Sequence, residues 1–159
     1  MMNMKAFRSL IAVASLAALF VLSGCPGSKN NPESTQDKQF GLLSKTWKVS
    51  SVSLGGVDKT GEWTGFQLAI SGTKGATSFS YSCTSRPTLS PWKASGTWAF
   101  GTNPVTQIVR DGGTADEQAI TYTVDATGAN LELDFSYSGS GYTRVGVVSG
   151  NWVFKLTSN

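Results

Sequence analysis

From about residue 40 onward, hydrophobic side chains recur at every second position. Phe66, Leu68 and Ile70 alternate with Gln67, Ala69 and Ser71, and Phe79, Tyr81 and Cys83 alternate with Ser78, Ser80 and Ser82. The same period runs through Ile120–Val124, Leu131–Tyr137 and Trp152–Leu156. Such alternation marks antiparallel strands with one face buried and the other in water. Turn-forming clusters separate the runs, among them Gly55-Gly56, Asp111-Gly112-Gly113, Thr127-Gly128-Ala129-Asn130 and Gly139-Ser140-Gly141. Eight or nine short strands at near-regular spacing predict an all-β, antiparallel barrel or sandwich. In the first strand Trp47 and Val49 share a parity that Val52 and Leu54 do not, which predicts a bulge near Ser50-Ser51. Only Gln39–Ser44 reads as helical, as a short turn leading into that strand.

Counting one face per strand turns Trp47, Phe66, Phe79, Tyr81, Trp98 and Trp152 inward, with the aliphatic residues of the same parity. An eight-stranded barrel is only just wide enough to be filled by side chains or to hold one small ligand. So many large inward residues predict a mostly filled interior with a shallow mouth.

The chain ahead of this region divides in two. Residues 1–24 have the form of an export signal: Lys5 and Arg8, then a twelve-residue stretch, Leu10–Val21, that is apolar apart from Ser15. Twelve residues rise about 18 Å as a helix, too little for a hydrocarbon core of about 30 Å, so a cleaved signal is expected rather than a span. Residues 25–39 are a polar stretch rich in Pro, Ser, Asn and charge, expected to act as a flexible tether. Residues 40–159 are left as the barrel domain.

Leu22-Ser23-Gly24-Cys25 closes the signal, and this segment resembles the lipobox of bacterial lipoproteins. The resemblance implies that the Cys25 thiol carries a diacylglycerol, that cleavage precedes it, and that the lipid bilayer is a partner. Two or more acyl chains suffice for stable anchoring. Pro26, where an Asp would mark retention in the inner membrane, implies onward transport, so the expected address is the cell envelope, at the outer membrane.

Composition narrows the chemistry. The formal charge of +3 falls to +1 once Lys5 and Arg8 leave with the leader, and no basic cluster remains to suit nucleic acid. The chain has no histidine, which removes Ser-His-Asp and Cys-His catalysis and every His-ligated metal site. Glu132 and Asp134 share a strand face, but it is the face opposite Leu131, Leu133 and Phe135, hence outward. Asp125, Thr127 and Asn130 read as a turn, since the glycine is misplaced for a calcium loop. Cys83 shares the parity of Phe79 and Tyr81 and is expected as a buried structural thiol. No catalytic residue, metal or cofactor is expected, and the chain reads as a non-enzyme.

The longest irregular stretch, Thr84–Ala94, carries Arg86, Trp92 and Lys93. An exposed Trp92 flanked by those two cations would suit an anionic or amphipathic ligand or a protein partner; folded back, it would be a lid on the barrel end.

Leu43-Ser44-Lys45-Thr46-Trp47 at the start of the first strand resembles the lipocalin signature, with Lys45 where lipocalins carry Gly. Ser95-Gly96-Thr97-Trp98-Ala99-Phe100, Ser149-Gly150-Asn151-Trp152-Val153-Phe154, Pro91-Trp92 and Arg110-Asp111-Gly112 extend the resemblance over about residues 42–156, to lipocalin-like domains of bacterial envelope lipoproteins. It implies an eight- to nine-stranded lipocalin-like barrel closed by an arginine stacked on Trp47, with Arg144 and Arg110 as candidates. A cation within about 6 Å of the ring would make that contact. Two functions follow: a tethered barrel binding a small hydrophobic or amphipathic molecule, or a filled barrel that docks envelope proteins or inhibits an enzyme through its loops.

Overall fold

The computed structural model describes residues 32–142 and 148–159. The signal, Cys25, the tether up to residue 31 and Arg144 lie outside the described residues.

The folded unit runs from Glu33 to Asn159. It opens with helix α1 (Thr35–Leu43), which starts inside the stretch expected to be tether and is longer than the turn expected over Gln39–Ser44. Ser34 caps it, its side chain accepting from the Asp37 N–H at 3.0 Å. Asp37 in turn accepts from the Gly75 N–H at 2.8 Å, which ties the first turn to the body of the domain.

Nine strands follow: β1 (Thr46–Leu54), β2 (Val57–Asp58), β3 (Gln67–Ser71), β4 (Phe79–Thr84), β5 (Ser95–Phe100), β6 (Gln107–Arg110), β7 (Gln118–Val124), β8 (Asn130–Tyr137) and β9 (Gly150–Ser158). A 3-10 helix, Thr60–Trp63, sits between β2 and β3. Every pairing is antiparallel, β3 to β9 follow one another in order, and β1 pairs with both β3 and β9. The sheet therefore closes into an eight-stranded up-and-down barrel, with β2 added beside β1. Closure leaves few strand edges to seek other partners. The β1–β9 register shifts between Val49 and Ser51, where the parity of the sequence changes.

Alternation sorts the side chains as expected. In β4, Phe79, Tyr81 and Cys83 are buried while Ser80, Ser82 and Thr84 are exposed; in β8, Leu131, Leu133, Phe135 and Tyr137 are buried. The outward positions of β4 and β7 are mainly Ser and Thr, a wall suited to water rather than to lipid.

Both ends are closed. At one, α1 lays Phe40 against Phe79, with ring centroids 4.6 Å apart, and buries Leu43 completely. The Trp47 indole there donates to the Leu43 carbonyl at 2.9 Å. At the other end, Trp63 from the 3-10 helix packs edge-on against Phe66, Trp152 and Phe154, with centroids 4.7–5.7 Å apart. Such aromatic contacts add about 0.5–1.5 kcal/mol each beyond the area buried.

Candidate functional site

The second end, where the loop after β4 meets the loops after β6 and β8, gathers the chemistry. This Thr84–Ala94 loop does not hold Trp92 out to solvent. Trp92 is 3% exposed and lies inside the barrel, its ring 5.6–5.9 Å from Tyr81, Phe135 and Phe154. The physical reason is area: a tryptophan on a loop long enough to fold inward gains far more by burial than by hydration. Trp92 is a plug.

Two arginines hold the plug by its backbone. Arg86 Nη1 donates to the Trp92 carbonyl and Arg110 Nη1 to the Pro91 carbonyl, each at 2.9 Å. Ser90 is fully buried, and its hydroxyl accepts from the Trp92 N–H at 3.1 Å, forming a local turn. Arg86 is thus a strut for the loop, only half-exposed itself.

Arg110 ends β6 pointing inward and is 1% exposed. Its guanidinium stacks 4.8 Å from the Trp92 centroid and 5.9 Å from that of Phe135. The arginine–tryptophan contact therefore exists in this barrel, but with Trp92 in the place expected for Trp47. Among the described residues, the cation over Trp47 is Lys45, at 5.9 Å. Asp111 follows Arg110 with φ 53°, a left-handed conformation that aspartate tolerates better than most residues. The turn brings its carboxylate back over the barrel end, where it accepts from the Tyr81 hydroxyl at 2.9 Å and the Thr97 N–H at 3.1 Å. Gly96 makes this approach possible: a Cβ there would stand 2.1 Å from Asp111 Oδ1.

Lys93 closes the rim. Its ammonium lies 2.6 Å from Asp116 and 3.9 Å from Asp111, and 5.7 Å from the Tyr142 ring centroid. Tyr142 donates to Asp116 at 2.8 Å. The hydrogen bonds from Lys93 and then Tyr142 hold the Asp116 carboxyl below its ordinary value. Arg86, Trp92, Lys93 and Arg110 thus meet in one cluster, whereas Trp47 stands at the other end of the barrel. The cluster also includes Tyr81, Asp111, Asp116 and Tyr142, whose positions in the sequence do not by themselves link them to it.

The space left inside is small. A cavity of about 10 Å³ lies among the described residues, lined by Trp92, Trp98, Arg110, Tyr81 and aliphatic residues of the inner wall. That is room for about one water molecule. Among the described residues, no group of His, Cys, Asp and Glu could hold a metal ion. Glu132 is exposed on the outer wall, 3.6 Å from Lys155, and Asp125 accepts five hydrogen bonds within its own turn.

Cys83 is buried, and that burial pushes its thiol up to about 12. The thiolate is the reactive form, so Cys83 is expected to ignore a thiol-specific chromogenic disulfide at pH 8 and to react fully in guanidinium. Rapid reaction of the native protein at this thiol would contradict the packing described.

No protein-family model, no curated protein and no solved structure matches this chain.

Proposed function

We propose that the chain is a lipid-anchored protein of the bacterial envelope, expected at the outer membrane, whose lipocalin-like barrel is a filled scaffold acting through its end loops on envelope proteins. The observation that carries this reading is the plug. With Trp92 seated, the cavity described beside it, about 10 Å³, is too small for an organic guest, and a larger ligand would have to displace the Pro91-Trp92 segment, whose carbonyls accept from Arg110 and Arg86. Loops fixed in this way lose little freedom on docking, which favours protein partners. The anchor rests on Leu22-Ser23-Gly24-Cys25, and the polar stretch after it would let the barrel stand off the bilayer.

Two measurements test the proposal together. Radiolabelled palmitate is expected to enter the full-length protein and not its Cys25→Ser variant. Native mass spectrometry of the detergent-released protein is expected to show polypeptide plus acyl groups and no bound organic molecule. Absence of label overturns the anchor; a stoichiometric amphiphile overturns the filled scaffold and restores the carrier reading.

A further inference from the structure

We propose that the corner of the barrel where α1 crosses the turn between β3 and β4 is its membrane-facing surface, resting on phospholipid headgroups, so that the plug end points away from the bilayer toward its partners. The inference rests on the anchor proposed above and adds to it the point of attachment. Residues 26–32 separate Cys25 from Glu33, where the folded unit begins. Whatever path they take, about eight residue steps reach at most about 29 Å. Acyl chains would fix Cys25 at headgroup level, so Glu33 stays within that distance of the bilayer surface.

Glu33 is itself held to the barrel. Its carboxylate pairs with Lys74 on the β3–β4 turn, and Asp37 accepts from the Gly75 N–H of the same turn at 2.8 Å. Further along α1, Phe40 stacks on Phe79 of β4 at 4.6 Å, and Gln39 accepts from the Tyr122 hydroxyl of β7 at 3.0 Å. The helix is thus a bracket across this end, and it shortens the linker expected over residues 25–39 to about half. Trp92 and its loop lie at the opposite end. Strands β1 and β9, of nine residues each, rise about 30 Å and, at a tilt of about 40°, set the two ends about 23 Å apart. Laying the plug end on the bilayer would spend most of the linker's reach along the wall, which only a nearly straight chain satisfies, at a cost in entropy. The α1 end meets the bilayer at no such cost. The charged side chains at this corner are Glu33, Asp37, Lys38 and Lys74, two of each sign. With no net charge there, attachment sets the orientation, and anionic lipid or moderate salt is expected to leave it unchanged.

The test uses the full-length, acylated protein in phosphatidylcholine vesicles that carry a nitroxide quencher on a fraction of their headgroups. Thr73→Cys on the β3–β4 turn and Thr88→Cys on the plug-end loop, both exposed, each take a fluorophore; Cys83 is buried and Cys25 would be acylated. Quenching is expected to be severalfold stronger at position 73 than at 88, and the same when phosphatidylglycerol is added. A Gly/Ser insert of about twelve residues between Gly27 and Ser28 is expected to shrink the difference. Flotation with the vesicles is read first. Protein that does not float removes the anchor, and this orientation with it. Floating protein quenched equally at both positions, or more at 88, overturns the orientation and leaves the anchor standing. A difference that grows with phosphatidylglycerol, or that survives the insert undiminished, overturns the argument from attachment.

Discussion

Trp92→Ala is expected to destabilise the domain by about 3–5 kcal/mol, the range for truncating a buried tryptophan. For a folded unit of this size that is a fall in Tm on the order of 10–20 °C. The loss has two sources. The lost ring leaves a void bounded by Tyr81, Phe135 and Phe154, and the Arg110 guanidinium loses the face it stacks on at 4.8 Å. Trp92→Phe keeps an aromatic face and most of the volume, so its loss is expected to be smaller. A side chain exposed on the loop would give a change within about 0.5 kcal/mol, so urea denaturation separates a plug from an outward anchor. The void is also expected to bind benzene or indole, as apolar engineered cavities do, raising the Tm of Trp92→Ala but not of the parent protein. An unchanged Tm in Trp92→Ala would remove the plug and with it the filled-scaffold reading.

The strand walls were legible because period two is a local signal. Phe79, Tyr81 and Cys83 announce their shared face by spacing alone, and the parity change between Val49 and Val52 marks the bulge that the β1–β9 register shows. The closed ends were not legible, for a different reason at each. Helix α1 buries only Phe40 and Leu43, and its sequence shows a polar stretch with three hydrophobic residues, Phe40, Leu42 and Leu43, near its end. Trp63 lies on a single turn of 3-10 helix, too short to carry a period. Trp92 sits in an irregular loop, where nothing in the sequence separates an outward from an inward ring. Arg110 is the least legible of all. Strand β6 is four residues long, and the prior for a charged residue at a strand end is outward. Its burial becomes intelligible only with the Trp92 ring, the Pro91 carbonyl and Asp111 around it, contacts made by segments distant in sequence. The candidate site is therefore mostly a product of tertiary packing, although residue type marks Arg86, Trp92 and Lys93, and the lipocalin resemblance marks Arg110.

Asp111→Ala is expected to lose about 3–5 kcal/mol, because it removes the buried carboxylate facing Arg110 and leaves the guanidinium charge uncompensated. It also strips the Tyr81 hydroxyl and the Thr97 N–H of their acceptor. Part of the loss is backbone, since alanine is poorly suited to φ 53°, and Asp111→Gly isolates that part by relieving the strain without restoring the charge. Asp111→Asn keeps an acceptor and tolerates the left-handed conformation, so the expected order of stability is Asp, then Asn, then Gly, then Ala. Arg110→Met in the same chain supplies the decisive comparison. If Asp111 serves chiefly to balance Arg110, the double variant Arg110→Met/Asp111→Ala is expected to be more stable than the sum of the single losses implies, by an interaction of about 1–3 kcal/mol. Burial shields the pair, at 1% and 4% exposure, so moderate salt is expected to change that interaction little. Strict additivity in guanidinium unfolding would mean that Asp111 acts only as an acceptor for Tyr81 and Thr97. Arg110 would then be held by the Trp92 ring and the Pro91 carbonyl alone.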